Sequence, residues 1–270
     1  MDKLSRLRRI LKSMGSAVVA YSGGVDSTFL LKVAHEVLGK SALAVTAASP
    51  TYTREELVSA KYAAESFGAR HKVIKTREFK DRRFTTNPAN RCYYCKRELL
   101  RSLVRIAREN RCNCVIEAST VSDKKDFRPG GAAVREQGAR SPLQEAGFTK
   151  DDVRLYSKKL GLSTWNKPSQ ACLASRIPYG IRITPAVLTR VRRGEAYLRK
   201  LGFRQVRLRH YNGLCRIEVE KDLIPALTAR REKIVKHLKR LGYRYITIDL
   251  EGYRTGSMNS EVKKLWKKYT

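Results

Sequence analysis

The chain has 270 residues, of which 42% are hydrophobic, enough for one large domain or two modest ones with a sizeable core. Its formal net charge is +32, from 57 Lys and Arg against 25 Asp and Glu. No apolar stretch approaches the ~20 residues of a membrane span, and residues 1–6 begin a basic amphipathic helix rather than a signal peptide. We therefore expect a cytoplasmic protein without membrane segments.

The positive charge has several explanations. Counterion release makes such a chain bind polyanions, including nucleic acid. The basic residues are spread over every predicted helix, however, which is also typical of a thermophilic protein's solvated surface. A phosphorylated small-molecule substrate would be favoured as well. The charge alone leaves these alternatives open.

Apolar runs alternate with helical patterns through the first 160 residues. The predicted strands are Ala17–Tyr21, Ala42–Ala47, His71–Lys75 and Cys114–Ala118. The predicted helices are Thr28–Leu38, Arg54–Phe67, Lys96–Arg111 and Lys150–Leu160. This alternation predicts an α/β fold, with crossover helices on a parallel sheet. The turn-rich segment Asp123–Gly131 is predicted to be a loop.

The pattern changes near residue 180. Beyond it we predict helices at Pro185–Leu201 and Leu223–Leu241, and strands at Gln205–His210, Leu214–Val219 and Tyr245–Leu250. Two domains follow from this change: an α/β domain over residues 1–180 and a smaller α+β domain over residues 181–270.

The segment SGGVDS, residues 22–27, lies between the first predicted strand and the first helix. Paired glycines let a backbone approach an anion closely, while serine hydroxyls and a helix N-terminus add donors and a positive dipole end. A carboxylate would repel phosphate, so Asp26 indicates a magnesium ion between them. The alternative is an ordinary strand-to-helix turn. The predicted phosphate and magnesium ligands are Ser22, Gly23, Gly24, Asp26 and Ser27.

Six cysteines without a signal peptide argue against a disulfide scaffold. Cys92 and Cys95 form a C-x-x-C pair, and Cys172 lies far downstream. The pair alone favours a structural zinc, and a dithiol without metal is the other alternative. The remaining cysteines lie in or beside apolar runs and are predicted to be small core residues: Cys112, Cys114 and Cys215.

These motifs resemble a known family. Residues 22–27 match the SGGxDS loop of the PP-loop ATP pyrophosphatases, which cut ATP between its α and β phosphates and adenylate an oxygen of their substrate. Nearly the whole chain resembles the LarE family of PP-loop sulfur transferases. Four further motifs carry this resemblance: DFRPG at 126–130, RSPL at 140–143, KPSQACLASRIPYG at 167–180 and DLEGYRTGSMN at 249–259. The chain departs from the family in residues 117–123, where Thr120 replaces an Asn and Ser122 an Asp.

The resemblance implies that ATP and Mg²⁺ are used to adenylate a carboxylate of pyridinium-3,5-biscarboxylic acid mononucleotide, which becomes a thiocarboxylate of the nickel-pincer cofactor. Cys172 takes the family's sulfur-bearing position. In some members this cysteine gives up its own sulfur, and in others it joins a C-x-x-C pair to hold a [4Fe–4S] cluster whose open iron carries sulfide. Cys92 and Cys95 favour the second type.

Four residues are expected to bind the substrate. By the resemblance, Ser175 and Arg176 orient it at the sulfur. Arg207 and Arg209 are two apart on a predicted strand, so they project from one face and can hold a phosphate between two guanidiniums. Matching family positions hold the substrate's phosphate. The alternative for this pair is an exposed strand face.

Other hypotheses remain at this stage. Glu195 and Glu218 also lie in stretches that match the family, although they could be paired surface charges. A tRNA-thiolating PP-loop enzyme would suit the positive charge, but no appended RNA-binding module is visible. A non-catalytic nucleotide or metal sensor is the third hypothesis. We further expect a sulfide donor as partner, a homo-oligomer and no membrane association.

Overall fold

The structure is a computed structural model, which describes residues 2–125, 129–167, 171–254 and 257. It divides into two compact units, one of Met1–Asp81 with Asn90–Gln170 and the other of Arg82–Ala89 with Ala171–Thr270. Parts of three sequence motifs, residues 126–128, 168–170, 255–256 and 258–259, lie outside the described residues. None of the helices in the described ranges is long and apolar enough to cross a membrane.

The secondary structure alternates between helices and strands in both units. The helices of the described residues are α1 (Lys3–Met14), α2 (Val25–Leu38), α3 (Arg54–Glu65), α4 (Arg82–Thr85), α5 (Arg91–Glu109), α6 (Gly130–Glu136), α7 (Pro142–Glu145), α8 (Lys150–Lys159), α9 (Pro185–Lys200), α10 (Ile224–Ala229) and α11 (Arg231–Arg240). The strands are β1 (Ala17–Ala20), β2 (Ala42–Ala48), β3 (Arg70–Lys75), β4 (Cys114–Ile116), β5 (Val206–Tyr211), β6 (Leu214–Val219) and β7 (Tyr245–Ile248).

A parallel sheet of order β3-β2-β1-β4 is the centre of the first unit. Its middle strands are almost entirely apolar because helices cover both faces. Val19 packs on one face in a buried cluster with residues of α1 and α2, and Val18 packs on the other with residues of α5. The edge strand β3 carries Arg and Lys, which discourages pairing with another chain. The α/β fold class predicted from the sequence is confirmed.

The second unit contains a mixed sheet of order β5-β6-β7. β5 and β6 form an antiparallel hairpin around Asn212-Gly213, and β7 runs parallel to β6. α9 begins at Pro185, where the Thr184 side chain accepts a hydrogen bond from the Val187 amide and so caps the helix. The smaller α+β unit is therefore also confirmed as part of the fold class.

Asn87 attaches the short segment Arg82–Ala89 to the second unit. This residue is fully buried and has a φ of 60°. Its side-chain amide donates to the carbonyls of Ile177, Pro178 and Ile181 at 3.3, 2.7 and 2.9 Å. Its own carbonyl accepts from the Gly180 amide at 2.9 Å. These bonds explain why the structure divides at residue 171 with residues 82–89 included, whereas the sequence pattern placed one boundary near residue 180.

Two helix predictions differ from the structure. The predicted helix Leu223–Leu241 is two helices, because α10 ends at Ala229. Arg230 separates it from α11, and the Arg230 side chain donates to the Ala226 carbonyl at 3.0 Å. The helix predicted from Lys96 begins at Arg91 instead. Its apolar stripe starts only near Leu100, so the first turn gave no periodic signal.

We predict that Asn87→Ala destabilises the second unit. The substitution leaves three carbonyls without their shared donor, and the unfolding free energy should fall by about 2–4 kcal/mol. Urea denaturation measures this loss, and hydrogen exchange at the Gly180 and Ile183 amides should accelerate because the segment that bonds them loosens. Asn110→Ala is the control, since exposed Asn110 makes one side-chain bond to Ile106 at 2.9 Å. Equal losses in both variants would contradict this role of Asn87.

Candidate functional site

Residues 22–27 follow the carboxyl end of β1, at the point where the strand order reverses. β1 lies between β2 and β4. The chain passes from β1 through β2 to β3 on one side of β1, and then returns to form β4 on the other side. In open α/β sheets, ligands bind outside the carboxyl ends of the strands at such a switch point. We call residues 22–27 the phosphate loop because their position is that of an anion-binding turn.

Gly23 fixes the backbone of the phosphate loop. Its φ of 70° is unfavourable for side chains other than glycine. A Cβ at this position would lie 2.7 Å from the Ala60 Cβ and 2.9 Å from its Cα, so the adjacent backbone of α3 leaves no room. Both the conformation and the close approach therefore require glycine here.

Hydrogen bonds of two serine side chains stabilise the loop. The Ser22 and Ser27 hydroxyls are 3.1 Å apart, and the Ser27 hydroxyl also donates to the Gly24 carbonyl at 3.2 Å. α2 begins at Val25, with Gly24 as its N-cap, so Asp26 and Ser27 belong to its first turn. A half-buried carboxylate here supplies the oxygen donors that Mg²⁺ prefers, and the residues present fit this ion.

Lys167 is a charged residue at the loop that the sequence patterns did not single out as a site residue. Its ammonium donates to the Gly23 carbonyl at 3.0 Å, across 144 residues of sequence. In the sequence, Lys167 stands out only as the first residue of the KPSQ motif. Nothing in the neighbouring sequence indicates that it contacts Gly23.

Glu117 is the hub of a buried network at the carboxyl end of β4, next to β1 in the sheet. It accepts from Lys96 at 2.8 Å, Ser141 at 2.5 Å and the Ser119 hydroxyl at 2.9 Å. Burial alone raises the pKa of Glu117, but the Lys96 charge and these donors outweigh it and lower the pKa. The carboxylate is therefore ionised, and it joins α5 to the sheet edge.

The segment that departs from the family pattern makes internal bonds. Thr120 is fully buried, and its amide and hydroxyl both donate to the Asp123 carboxylate at 2.8 and 3.0 Å. The Ser122 hydroxyl accepts from the Lys150 amide at 3.2 Å. The substituted residues thus stabilise the turn after β4.

Cys92 and Cys95 lie in the first turn of α5 rather than ahead of the helix as predicted. Residues three apart share a helix face, and the positive end of the helix stabilises thiolates. Cys92 is exposed and Cys95 half-buried, and neither forms a disulfide. Paired thiolates of this kind fit iron or zinc. Over the described ranges, no three His, Cys, Asp or Glu residues form a metal-binding group.

Of the three cysteines predicted to be small core residues, only Cys215 is buried in the core. Cys215 is fully buried, and burial raises the pKa of its thiol to about 12, as expected for a core residue. Cys112 and Cys114 are half-buried, and burial also raises the pKa of both thiols. Cys172, in the second unit, is exposed.

Arg176 holds the backbone around Cys172. One of its terminal nitrogens donates to the Ala171 and Cys172 carbonyls at 2.5 and 3.3 Å and to the Ser175 hydroxyl at 3.1 Å. The rest of the guanidinium forms a two-point ion pair with Glu195 at 2.8 and 3.2 Å. From a buried position, Arg176 therefore holds the backbone that carries the exposed Cys172.

Glu195 and Glu218 are fully buried, so the surface-charge interpretation of both residues is wrong. Burial raises the pKa of Glu195, but Arg176, Arg199 and the Leu208 amide outweigh that effect and lower the pKa. Glu218 pairs with Arg209 through two bonds of 2.8 and 2.6 Å. These carboxylates neutralise arginines inside the second unit.

Arg207 and Arg209 are also buried, which excludes the exposed strand face. Arg209 has Glu218 as its counter-ion, but Arg207 forms no ion pair with any carboxylate in the described ranges. The Arg207 guanidinium donates to the Val206 carbonyl at 3.0 Å and lies 5.1 Å from the centre of the Tyr253 ring. Burial and the charge of Arg176 lower the pKa of Arg207. Glu195 acts on Arg207 only without direct contact, so a buried cation with no ion pair in the described ranges is a candidate anion ligand.

Comparison with known proteins identifies relatives along the full chain. An uncharacterised protein of Synechocystis sp. is 44% identical over 265 residues, 97% of this chain and 99% of that protein. The pyridinium-3,5-bisthiocarboxylic acid mononucleotide synthase of Lactiplantibacillus plantarum is 39% identical over 263 residues, 97% of this chain and 95% of the synthase. An uncharacterised protein of Methanocaldococcus jannaschii is 28% identical over 258 residues, 94% of this chain and 98% of that protein. No protein-family model matches the chain.

The match to the synthase shows the family. The chain belongs to the LarE-type sulfur transferases, as the sequence motifs predicted.

We predict opposite effects on stability for the two strand arginines. Arg209→Met removes a counter-ion from buried Glu218 and should lower the unfolding free energy by about 3 kcal/mol or more. Arg207→Met removes a buried cation that has no ion pair within the part of the chain that the structure describes, so stability should hold or rise. Urea denaturation of the two variants tests this difference, with each serving as the other's matched control. An equal loss in both would show that Arg207 is a structural residue.

Proposed function

We propose that this chain adenylates a carboxylate of pyridinium-3,5-biscarboxylic acid mononucleotide with ATP and converts it to a thiocarboxylate for the nickel-pincer cofactor. The observation that carries the proposal is the match along nearly the whole chain to a synthase of pyridinium-3,5-bisthiocarboxylic acid mononucleotide. Its coverage extends over both units, so the proposal concerns the whole chain.

The phosphate loop is the proposed ATP site. The N-terminus of α2 and the backbone amides around Gly23 and Gly24 bind the β and γ phosphates. Asp26 holds Mg²⁺, which neutralises charge on the triphosphate when bound. This arrangement leaves the α-phosphate open to a carboxylate oxygen.

The second unit supplies the proposed substrate ligands. Arg207 is the best placed to receive a phosphate, because its buried charge has no ion pair with a carboxylate of the described residues. Arg209 forms the ion pair with Glu218 and also donates to the Ser175 carbonyl at 3.0 Å. Its role is therefore to hold the segment around Ser175. Arg176 positions the exposed Cys172 and the Ser175 hydroxyl.

The reaction has two balanced steps. A substrate carboxylate oxygen attacks the α-phosphorus, the bond to the β-phosphate oxygen breaks, and pyrophosphate leaves. Hydrosulfide then attacks the acyl carbon of the adenylate, AMP departs with the bonding electron pair, and the thiocarboxylate forms with release of a proton. The protein contributes positioning and charge neutralisation rather than acid–base groups.

Sulfur delivery is proposed to use Cys92, Cys95 and Cys172 as ligands of a [4Fe–4S] cluster. Soft thiolates are the ligands that such clusters prefer, and the exposed or half-buried thiols in the first turn of α5 fit this donor set. Held by these three cysteines, such a cluster would have one iron free to bind external sulfide. A tRNA substrate is the less favoured alternative, because the named relative makes a mononucleotide.

The first test concerns the nucleotide products. We expect ATP to be converted to AMP and pyrophosphate, which ³¹P NMR distinguishes from ADP and phosphate. Asp26→Ala should largely abolish the reaction because it removes the proposed magnesium ligand. Asp151→Ala is the matched control, an exposed aspartate in the first turn of α8 in the same unit. Release of ADP would refute the pyrophosphatase assignment.

The second test concerns the sulfur source. Anaerobically purified protein should be brown and oxygen-sensitive, with about four irons per chain. Cys92→Ala, Cys95→Ala and Cys172→Ala should each lose the iron, whereas Cys112→Ala should keep it. Multiple turnovers should follow when sulfide is supplied, with the mass of Cys172 unchanged.

Two outcomes would overturn parts of this proposal. Colourless, iron-free protein that loses one sulfur from Cys172 per turnover would make the cysteine a sacrificial donor. Salt-sensitive binding of tRNA, with no turnover of the pyridinium mononucleotide, would favour the thiolase alternative.

A further inference from the structure

The phosphate loop contains one ionisable side chain, and that side chain is negative. Ser22, Ser27 and the two glycines offer neutral donors, while Asp26 carries a carboxylate. A triphosphate brings about four negative charges, so the helix dipole, the amides and the proposed Mg²⁺ beside Asp26 still leave negative charge to neutralise. A protein cation near the loop is therefore expected on electrostatic grounds.

Lys167 supplies this cation. Its ammonium has three N–H donors, and one of them reaches the Gly23 carbonyl at 3.0 Å. The Lys167 side chain makes no other hydrogen bond and no ion pair with the described ranges of the chain. Its half-buried charge is thus not neutralised by a carboxylate, and two donors remain for a ligand.

The position of Lys167 is fixed by the same helices that support the loop. The Arg154 side chain on α8 donates to the Trp165 and Lys167 carbonyls at 2.9 and 3.0 Å. α8 packs on α2, where Phe29 lies 6.3 Å from Tyr156 between ring centres. The ammonium and the N-terminus of α2 are therefore held in one rigid arrangement.

We propose that Lys167 is a direct ligand of the polyphosphate of a nucleoside triphosphate. The inference rests on the proposed ATP site and adds a protein cation to it. In the first step the charge on the leaving pyrophosphate grows, and a lysine ammonium at the loop stabilises that charge.

The test compares three substitutions at one position. Lys167→Met removes the charge and the donors, Lys167→Gln keeps a donor for the Gly23 carbonyl without charge, and Lys167→Arg keeps the charge. Calorimetry would measure binding of magnesium pyrophosphate and of AMP to the full chain. Lys167→Met and Lys167→Gln should weaken pyrophosphate binding about ten- to a hundredfold, as expected for loss of a charge-assisted bond. Neither should change AMP binding much, and Lys167→Arg should bind pyrophosphate almost as the wild type does.

A matched control comes from the same segment. Lys158 lies over the Trp165 ring at 4.9 Å, and Lys158→Met should leave pyrophosphate binding unchanged. Recovery of full affinity in Lys167→Gln would mean that the residue only holds the Gly23 carbonyl, and equal weakening of AMP and pyrophosphate would mean loss of loop structure. Either result overturns the inference. Wild-type protein that binds neither ATP nor pyrophosphate would overturn the nucleotide site itself.

Discussion

The contact between Gly23 and Ala60 is the constraint on which the proposed nucleotide site depends. A left-handed backbone at Gly23 packs directly against α3, so the loop cannot relax towards a conformation that other residues adopt. This contact sets where the amides around Gly23 point, and it places the Gly23 carbonyl within reach of Lys167. The absence of a side chain at Gly23 therefore fixes both the direction of the amide donors and the contact with the Lys167 ammonium.

In the second unit, several charged side chains are buried. Glu195 and Glu218 each accept bonds from more than one arginine, so their desolvation is offset by charge-assisted hydrogen bonds. Among the described residues Arg207 has no such ion pair, although the Glu195 charge acts on it from a distance. A protein that buries a cation without a counter-ion gives up stability, and such a loss is tolerated where a ligand is to be bound.

Much of this architecture could be predicted from the sequence, because its signals are local. Apolar runs such as Ala42–Ala47 located the parallel strands, and paired glycines located the phosphate loop. The burial of Glu195 and Glu218 could not be predicted, since it depends on partners from other elements. The contact of Lys167 with Gly23 could not be predicted for the same reason, because its two partners lie in different elements. The start of α5 was wrong because its first turn, with Cys92 and Cys95, does not carry the apolar stripe.

The segment Arg82–Ala89 has a consequence for biosynthesis. Asn87 bonds to carbonyls that follow it by about 90 residues, so the ribosome makes the segment long before its partners. At translation rates of roughly 5–20 residues per second, Phe84 and Asn87 wait for about 5–20 s without their native surroundings. Dividing the gene at residue 170 would separate this segment from the rest of its unit, so the two units are not exchangeable modules.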